Sequence, residues 1–215
     1  MVKGVIFDLD GTLIDTLFEL ANAANYALTQ WGFPTHTIEE YRGFVGNGVT
    51  KIVERALPEG KKDLTMAVRE KFYEYYEAHI LDTVPIYDGM AKLVAELGRR
   101  GIPMCVNTNK IDAFAKKLAN YAFPGAFIEV LGECDRFPKK SAPDAALYLC
   151  EKMGINSSEC LFVGDSGVDI KTADNAKMPK IIVTWGFVYK SELEKLCDGP
   201  FADSADDILK MVESL

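Results

Sequence analysis

Two aspartates two residues apart follow the first apolar run of the chain. The stretch VIFDLDGTLIDT places Asp8 and Asp10 at the end of this run, with a Gly-Thr turn directly behind them. Carboxylates this close repel each other, and burying both is unfavourable unless a cation joins them. One acid at the end of a strand can simply form a turn, whereas two predict a site that holds positive charge.

Further polar side chains follow two other apolar runs. Thr108 and Asn109 follow IPMCVN, and Asp165 and Asp169 follow CLFV. Ligands of open parallel α/β sheets bind outside the carboxyl ends of the strands, so we expect these side chains to converge with the first two aspartates. Oxygen ligands without His or Cys favour Mg²⁺ over Zn²⁺. A carboxylate site that holds Mg²⁺ indicates chemistry on phosphates.

Positive charge for a phosphate group would come from lysine. The stretch DRFPKKSAPD offers Lys139 and Lys140 just before a predicted helix. Either could reach the crevice while the other stays on the surface. The sequence contains neither a Walker A glycine loop nor a G-x-S-x-G turn, so it gives no support for a P-loop nucleotide hydrolase or a serine hydrolase.

The elements that must position these residues alternate between strands and helices. Short runs rich in Val, Ile and Phe, without polar alternation, predict buried parallel strands at 4–8, 102–107, 126–131, 160–165 and 180–185. Helical patterns follow at 90–97, 113–121, 142–153, 169–176 and 204–212. This order predicts an α/β fold with a doubly wound, Rossmann-like parallel sheet.

The segment 16–84 breaks this alternation. It contains no convincing strand, and its patterns predict helices at 17–31, 38–44, 49–57 and 64–80. A segment of this length is too long for a connecting loop. We therefore expect an inserted all-helical cap domain at 16–84 and a core domain formed by 1–15 and 85–215.

Composition and charge exclude several classes of function. The formal net charge is −8 and no basic run stands out, which argues against a nucleic-acid partner. No apolar run approaches a membrane span, and no signal peptide precedes the first strand, so we expect a cytoplasmic protein without a membrane partner. The five cysteines are dispersed without a C-x-x-C pair, which is typical of reduced thiols.

Four stretches together resemble a known family, the haloacid dehalogenase-like (HAD) phosphohydrolases. DLDGTLIDT resembles its first motif, and VNTNK resembles the second, centred on Thr108. KSAPD is similar to the third and selects Lys140 over Lys139, and GDSGVDIKTADNA resembles the fourth, with Asp165 and Asp169. The motifs occur in the family's order over the length of the chain.

The resemblance implies a mechanism. Asp8 would be the nucleophile that forms an aspartyl phosphate. Asp10 would protonate the leaving oxygen and then activate water. The dehalogenase branch of the family lacks this second acid, so its presence indicates phosphoryl transfer.

The resemblance also implies binding roles. Thr108 and Lys140 would bind phosphoryl oxygens, with Asn109 and the backbone at Leu9 beside them. The implied cofactor is Mg²⁺, with a ligand set formed by Asp8, Asp10, Asp165 and Asp169, the last acting through a water.

The inserted segment resembles the helical cap of the phosphoglycolate phosphatase-like subfamily, which also contains β-phosphoglucomutase and phosphonatase. The stretch 43–57 carries this resemblance, and its turn at Gly46 and Asn47 could offer backbone N–H groups to a substrate. Lys51 or Arg55 could contact a substrate carboxylate, although either could equally be a charge on a helix surface. The expected substrate is a small phosphate ester resembling 2-phosphoglycolate.

Other functions stay open at this point. A phosphomutase of the β-phosphoglucomutase kind would use the same two aspartates, and a pyrophosphatase or another sugar-phosphate phosphatase of the superfamily would share the site. A regulatory domain that keeps a stable aspartyl phosphate is a third class, but it would need neither a cap nor Asp10. The sequence is compatible with a monomer or a homodimer.

Overall fold

The computed structural model describes residues 2–214, and its centre is a six-stranded parallel sheet. The strand order is β3-β2-β1-β4-β5-β6. The strands are β1 (Gly4–Phe7), β2 (Met104–Ile111), β3 (Glu129–Glu133), β4 (Cys160–Gly164), β5 (Lys180–Val183) and β6 (Phe201–Ala202). Every neighbouring pair runs parallel, which confirms the predicted doubly wound α/β fold.

Helices cover both faces of this sheet. They are α5 (Met90–Arg99), α6 (Asp112–Ala122), α7 (Asp144–Met153), α8 (Gly167–Ala176), α9 (Lys190–Leu193) and α10 (Ala205–Ser214). Side chains of α5, α6 and α10 pack on one face, and those of α7 and α8 on the other. Within residues 2–214, no helix is both long and apolar enough to cross a bilayer.

Strand β1 lies in the middle of the sheet and is buried on both sides. Val5 and Phe7 pack into the cluster that includes α5, whereas Ile6 packs into the cluster on the other face. All four residues of the strand are buried. Burial on both faces explains why the sequence shows an unbroken apolar run instead of alternation.

Three features of the sheet differ from the predictions. Strand β2 continues to Ile111 instead of ending at residue 107, with an irregularity in its pairing to β3 between Asn107 and Ile111. Strand β3 begins at Glu129, three residues later than predicted, after a turn in which Ala126 N donates to Phe123 O. Strand β6 and the neighbouring helix α9 were not predicted, because both are too short to show a hydrophobic period.

The segment between β1 and α5 is helical, as predicted. It contains α1 (Leu17–Thr29), α2 (Ile38–Arg42), α3 (Val49–Ala56) and α4 (Thr65–His79), with a 3₁₀ turn at Lys62–Leu64. The chain leaves and re-enters the sheet region at adjacent points. Ile14 and Ile86 form an antiparallel bridge, and Asp15 N donates to Pro85 O.

Candidate active site

The carboxyl ends of β1, β2 and β4 bring the predicted acids and amides to one edge of the sheet. Asp8 follows β1 directly, and its N–H donates to Val163 O of β4 at 2.8 Å. Asp8, Asp165 and Asp169 are all buried, and each offers a carboxylate oxygen within 4.8 Å of the others. A buried group of three acids at this spacing fits a divalent cation with oxygen ligands.

Close glycine backbone surrounds Asp165. A Cβ at Gly186 would lie 2.3 Å from Asp165 Cβ, and one at Gly11 would lie 2.4 Å from Asp165 Oδ2. Gly11 also has a φ of +83°, which side-chain-bearing residues rarely adopt. The carboxylate itself accepts a hydrogen bond from Phe187 N at 2.8 Å. These contacts restrict the position of the Asp165 carboxylate.

Lys140 supplies positive charge inside this group of acids. Its Nζ lies 2.8 Å from Asp8 Oδ1 and 2.6 Å from Asp169 Oδ1, and its side chain is 3% exposed. Asn109 positions this lysine, because its amide donates to Lys140 O at 3.2 Å and accepts from Lys140 N at 2.9 Å. Asp169 is anchored in turn by Ser166, whose N–H and hydroxyl both donate to Asp169 Oδ2.

Lys139 lies outside the acidic group. Its Nζ pairs with Glu133 at 2.7 Å, and its side chain is 45% exposed. The two adjacent lysines therefore have different surroundings, and Lys140 is the one that contacts the acids, as the third-motif resemblance predicts.

Asp10 lies in a separate network. Thr16 Oγ1 donates to Asp10 Oδ1 at 2.7 Å. Lys110 Nζ contacts Asp10 Oδ1 at 3.0 Å and Oδ2 at 3.1 Å. Each of the two aspartates that open the first motif thus has its own lysine partner. The lysine charges compensate the repulsion between the two carboxylates.

The pKa values reflect the burial of these charges. Burial raises the pKa of Asp8 to about 7, although the Lys140 ammonium opposes the shift. Burial also raises the pKa of Asp165 well above its ordinary value, and Asp169 and Asp8 add to this effect. A cation placed among these carboxylates would favour their charged forms, so the acids present fit the predicted Mg²⁺.

Burial and the neighbouring acids act in opposite directions on the pKa values of the two buried lysines. Burial alone would lower the pKa of Lys140, but the Asp169 and Asp8 carboxylates outweigh it and raise the pKa. Burial would also lower the pKa of Lys110, but the Asp10 carboxylate and Tyr76 together outweigh it and raise the pKa. Both lysines therefore carry their charge at neutral pH.

A cleft lies over this edge of the sheet. Its floor is polar and includes the predicted site residues Asp8, Asp10, Thr108, Asn109, Lys140 and Asp165, together with Lys110, which was not predicted. Its opposite wall comes from the helical segment and is mostly apolar, formed by Leu20, Val45, Gly46, Gly48, Val49 and Ile52. Arg42 of α2 is the charged residue of that wall.

The lining of the cleft leaves out five residues that were predicted or considered as site residues, namely Leu9, Asn47, Lys51, Arg55 and Asp169. Asp169 lies behind Lys140 and contacts it directly. Leu9 is fully buried, and its backbone N–H donates to Asp8 Oδ1 at 2.7 Å. Asn47 accepts a hydrogen bond from Arg55 Nη2 at 2.8 Å, and Lys51 pairs with Glu54 at 2.6 Å.

Several residues at the site were not predicted from the sequence. Lys110 lies two positions after Thr108 and beyond residue 107, where the predicted strand ended, so the alternation of strand side chains gave no signal for it. Arg42 donates to Gly186 O at 2.9 Å, and Phe187 holds Asp165. No local pattern in the sequence marked Arg42 or Phe187, because their contacts are distant along the chain.

Comparisons with known proteins place this fold and site in a class. The family model described as haloacid dehalogenase-like hydrolase matches residues 2–177. The phosphoglycolate phosphatase of Vibrio parahaemolyticus is 34% identical over 220 residues, covering 98% of this chain and 96% of that protein. The phosphoglycolate phosphatase of Pectobacterium atrosepticum is 33% identical over 216 residues, covering 98% and 92%.

A solved structure gives the same result. The crystal structure of a predicted phosphoglycolate phosphatase from Haemophilus somnus superposes with a TM-score of 0.86 at 28% identity, covering 98% of this chain and 97% of that one. The chain therefore belongs to the haloacid dehalogenase-like hydrolases. Within that family it is a phosphatase of the phosphoglycolate phosphatase-like subfamily, and it acts on small phosphate esters.

Proposed function

We propose that this phosphatase hydrolyses a small phosphomonoester of the 2-phosphoglycolate type through phosphoryl transfer to Asp8. The observation that carries the proposal is the pairing of two differently partnered aspartates, Asp8 with Lys140 and Asp10 with Lys110, on the floor of one cleft. The curated relatives that bear the name phosphoglycolate phosphatase support the choice of substrate.

In the first half of the reaction, an Asp8 oxygen forms a bond to phosphorus as the bond to the ester oxygen breaks. Asp10 gives its proton to that leaving oxygen, which departs as an alcohol. Lys140 and Thr108 bind the phosphoryl oxygens and compensate the charge that develops on them. Lys140 is already in contact with the nucleophile, so little rearrangement is needed to position it.

In the second half, Asp10 accepts a proton from water as the water oxygen attacks phosphorus. The bond between phosphorus and Asp8 breaks, which releases inorganic phosphate and restores both carboxyl groups. Bound Mg²⁺ would supply positive charge beside the phosphoryl oxygens, held by the Asp8 carboxylate, the Asp10 carbonyl and Asp165. Asp169 supports this arrangement from behind through Lys140.

We further propose that residues 16–84 act as a cap domain on a core formed by 1–15 and 85–215. The support is that α1, α3 and the turn before α3 supply the apolar wall of the cleft, to which α2 adds Arg42. Gly46 lies in that wall, and we propose that it, with Asn47 beside it, contributes to substrate selection. A cytoplasmic location and a monomeric or homodimeric state remain predictions.

A panel of phosphate esters tests the proposed substrate. Release of inorganic phosphate is measured with 2-phosphoglycolate, hexose phosphates, nucleotides and pyrophosphate. We expect kcat/KM for 2-phosphoglycolate to exceed the others by about 10-fold or more, the size of discrimination that a few pocket contacts supply. Conversion of a hexose 1-phosphate to its isomer without phosphate release would instead identify a phosphomutase, and preference for pyrophosphate would identify a pyrophosphatase.

Metal binding can be tested without any turnover. Mg²⁺ at about 100 times its dissociation constant should stabilise the metal-free protein by roughly 2.7 kcal/mol. For a chain of this size, that corresponds to a rise in Tm of roughly 5–11 °C. Differential scanning calorimetry with added Mg²⁺ or EDTA measures it. The Asp165→Asn variant serves as the control and should lose most of the rise; an equal rise in this variant would place the metal elsewhere.

A further inference from the structure

Lys110 is a buried cation for which the proposed reaction has no role. It lies at the end of β2, two residues after Thr108, and its side chain is 3% exposed. Its Nζ reaches both oxygens of the Asp10 carboxylate, at 3.0 and 3.1 Å. A lysine is costly to bury unless it is paired, so this contact is the reason that Lys110 can occupy the site.

The contacts of Lys110 and Thr16 make the two Asp10 oxygens different. Among residues 2–214, Oδ1 accepts from both Thr16 and Lys110, whereas Oδ2 accepts only from Lys110. Three contacts from two directions fix the plane of the carboxylate. Oδ2 has more free acceptor capacity, and it is therefore the oxygen suited to exchange a proton with the substrate.

The helical segment between β1 and α5 also contacts Lys110. The Tyr76 ring of α4 lies with its centroid 4.8 Å from Lys110 Nζ. Tyr76 is 2% exposed. An aromatic ring at this distance attracts an ammonium group. Lys110 thus contacts both Asp10, which follows β1, and Tyr76 of the helical segment.

The geometry separates Lys110 from the phosphate-binding groups. Lys140 contacts Asp8, the proposed nucleophile, whereas the carboxylate that Lys110 contacts is that of Asp10. A lysine that bound the phosphoryl group would affect every substrate alike. A lysine that acts through Asp10 would matter only where the leaving oxygen needs a proton.

We propose that Lys110 is a positioning residue that holds the Asp10 carboxylate in place for proton exchange with the leaving oxygen. The inference rests on the proposed function, because it assumes that Asp10 is the proton donor. Lys110 would thus assist the phosphatase reaction through Asp10, without contacting the phosphoryl group.

Leaving groups of different basicity test the proposal. The Lys110→Met variant is assayed with 2-phosphoglycolate, whose alkoxide must be protonated, and with 2,4-dinitrophenyl phosphate, whose phenolate leaves without a proton. The ratio kcat/KM reports the steps up to departure of the leaving group. We expect a loss of about 100-fold for the first substrate, the lower range for general acid catalysis, and less than about 3-fold for the second. Equal losses for both substrates would overturn the proposal.

A double-mutant cycle shows whether Lys110 acts through Asp10. Asp10→Asn should show the same leaving-group dependence, and adding Lys110→Met to it should cost less than about 3-fold more for 2-phosphoglycolate. A further full loss in the double variant would contradict the proposal. If Asp10→Asn itself shows no leaving-group dependence, the assignment of Asp10 fails, and that outcome is distinct from failure of the Lys110 role.

Two further variants control for folding. Lys116→Met removes a half-exposed lysine that pairs with Asp112 on α6, and it should leave kcat/KM unchanged with both substrates. Lys110→Gln keeps a hydrogen-bond donor of shorter reach, and it provides the test if Lys110→Met does not fold. Recovery of 2-phosphoglycolate turnover in Lys110→Gln relative to Lys110→Met supports positioning by hydrogen bonding. If only the glutamine variant folds, the same pair of substrates decides the question.

Discussion

Replacement of Asp8 by asparagine is expected to abolish phosphatase activity, lowering kcat with 2-phosphoglycolate or p-nitrophenyl phosphate by about 10⁴-fold or more. Asparagine has nearly the same shape but no charged oxygen to attack phosphorus. The Asp8 side chain also lies in contact with Lys140 at 2.8 Å, and an amide oxygen can still accept from that ammonium group. The fold should therefore persist, and a Tm within a few degrees of the parent protein would show that activity alone is lost.

The phosphoenzyme gives a second measurement for this variant. Acid quenching during turnover, followed by mass spectrometry of the peptide that contains Asp8, should find a phosphoryl group in the parent protein and none in Asp8→Asn. The matched control is Asp174→Asn on the exposed part of α8, which should keep full activity. Substantial turnover by Asp8→Asn would remove Asp8 from the role of nucleophile.

Replacement of Lys140 by methionine should impair both stability and activity. The change leaves Asp8 and Asp169 buried without their shared cation, and breaking a buried pair in this way typically costs about 3–5 kcal/mol. We expect Tm to fall by roughly 6–20 °C. Activity should fall by about 10²–10³-fold, because a donor to the developing phosphoryl charge is lost. Thermal unfolding and steady-state kinetics measure the two effects.

The adjacent lysine offers a matched control. Lys139 is the same residue type one position earlier, but it is half-exposed and pairs with Glu133 at the surface. Lys139→Met should therefore change the free energy of unfolding by less than about 1 kcal/mol and leave activity close to that of the parent protein. Comparable losses in both variants would mean that the charge of the pair matters more than the position of Lys140.

The predicted fold follows from patterns that are local in the sequence. The apolar runs at β1 and β4 gave correct strands because both are buried on two faces. The helices of the segment 16–84 were also predicted within three residues at each end. Strand β6 has two residues and α9 has four, so neither is long enough to display a period. Their existence depends on tertiary contacts.

The same limit applies to the site. The sequence places Asp8, Thr108 and Asp165 at strand ends, and the rule for parallel sheets then brings them together. Choosing Lys140 over Lys139 required the motif resemblance, since the two residues are equivalent in local pattern. Contacts such as Lys110 with Asp10, 100 positions apart, depend on the register of β1 with β2, which no stretch of sequence displays.

The bridge between Ile14 and Ile86 has a consequence for how such a protein can diverge. Because the two ends of the intervening 71 residues lie side by side, a segment of another length or shape can be joined there without moving β1 or its hydrogen bonds. The wall that meets the organic part of a substrate can then be exchanged as a module. The catalytic residues on the floor of the cleft keep their positions while the selectivity for the substrate changes.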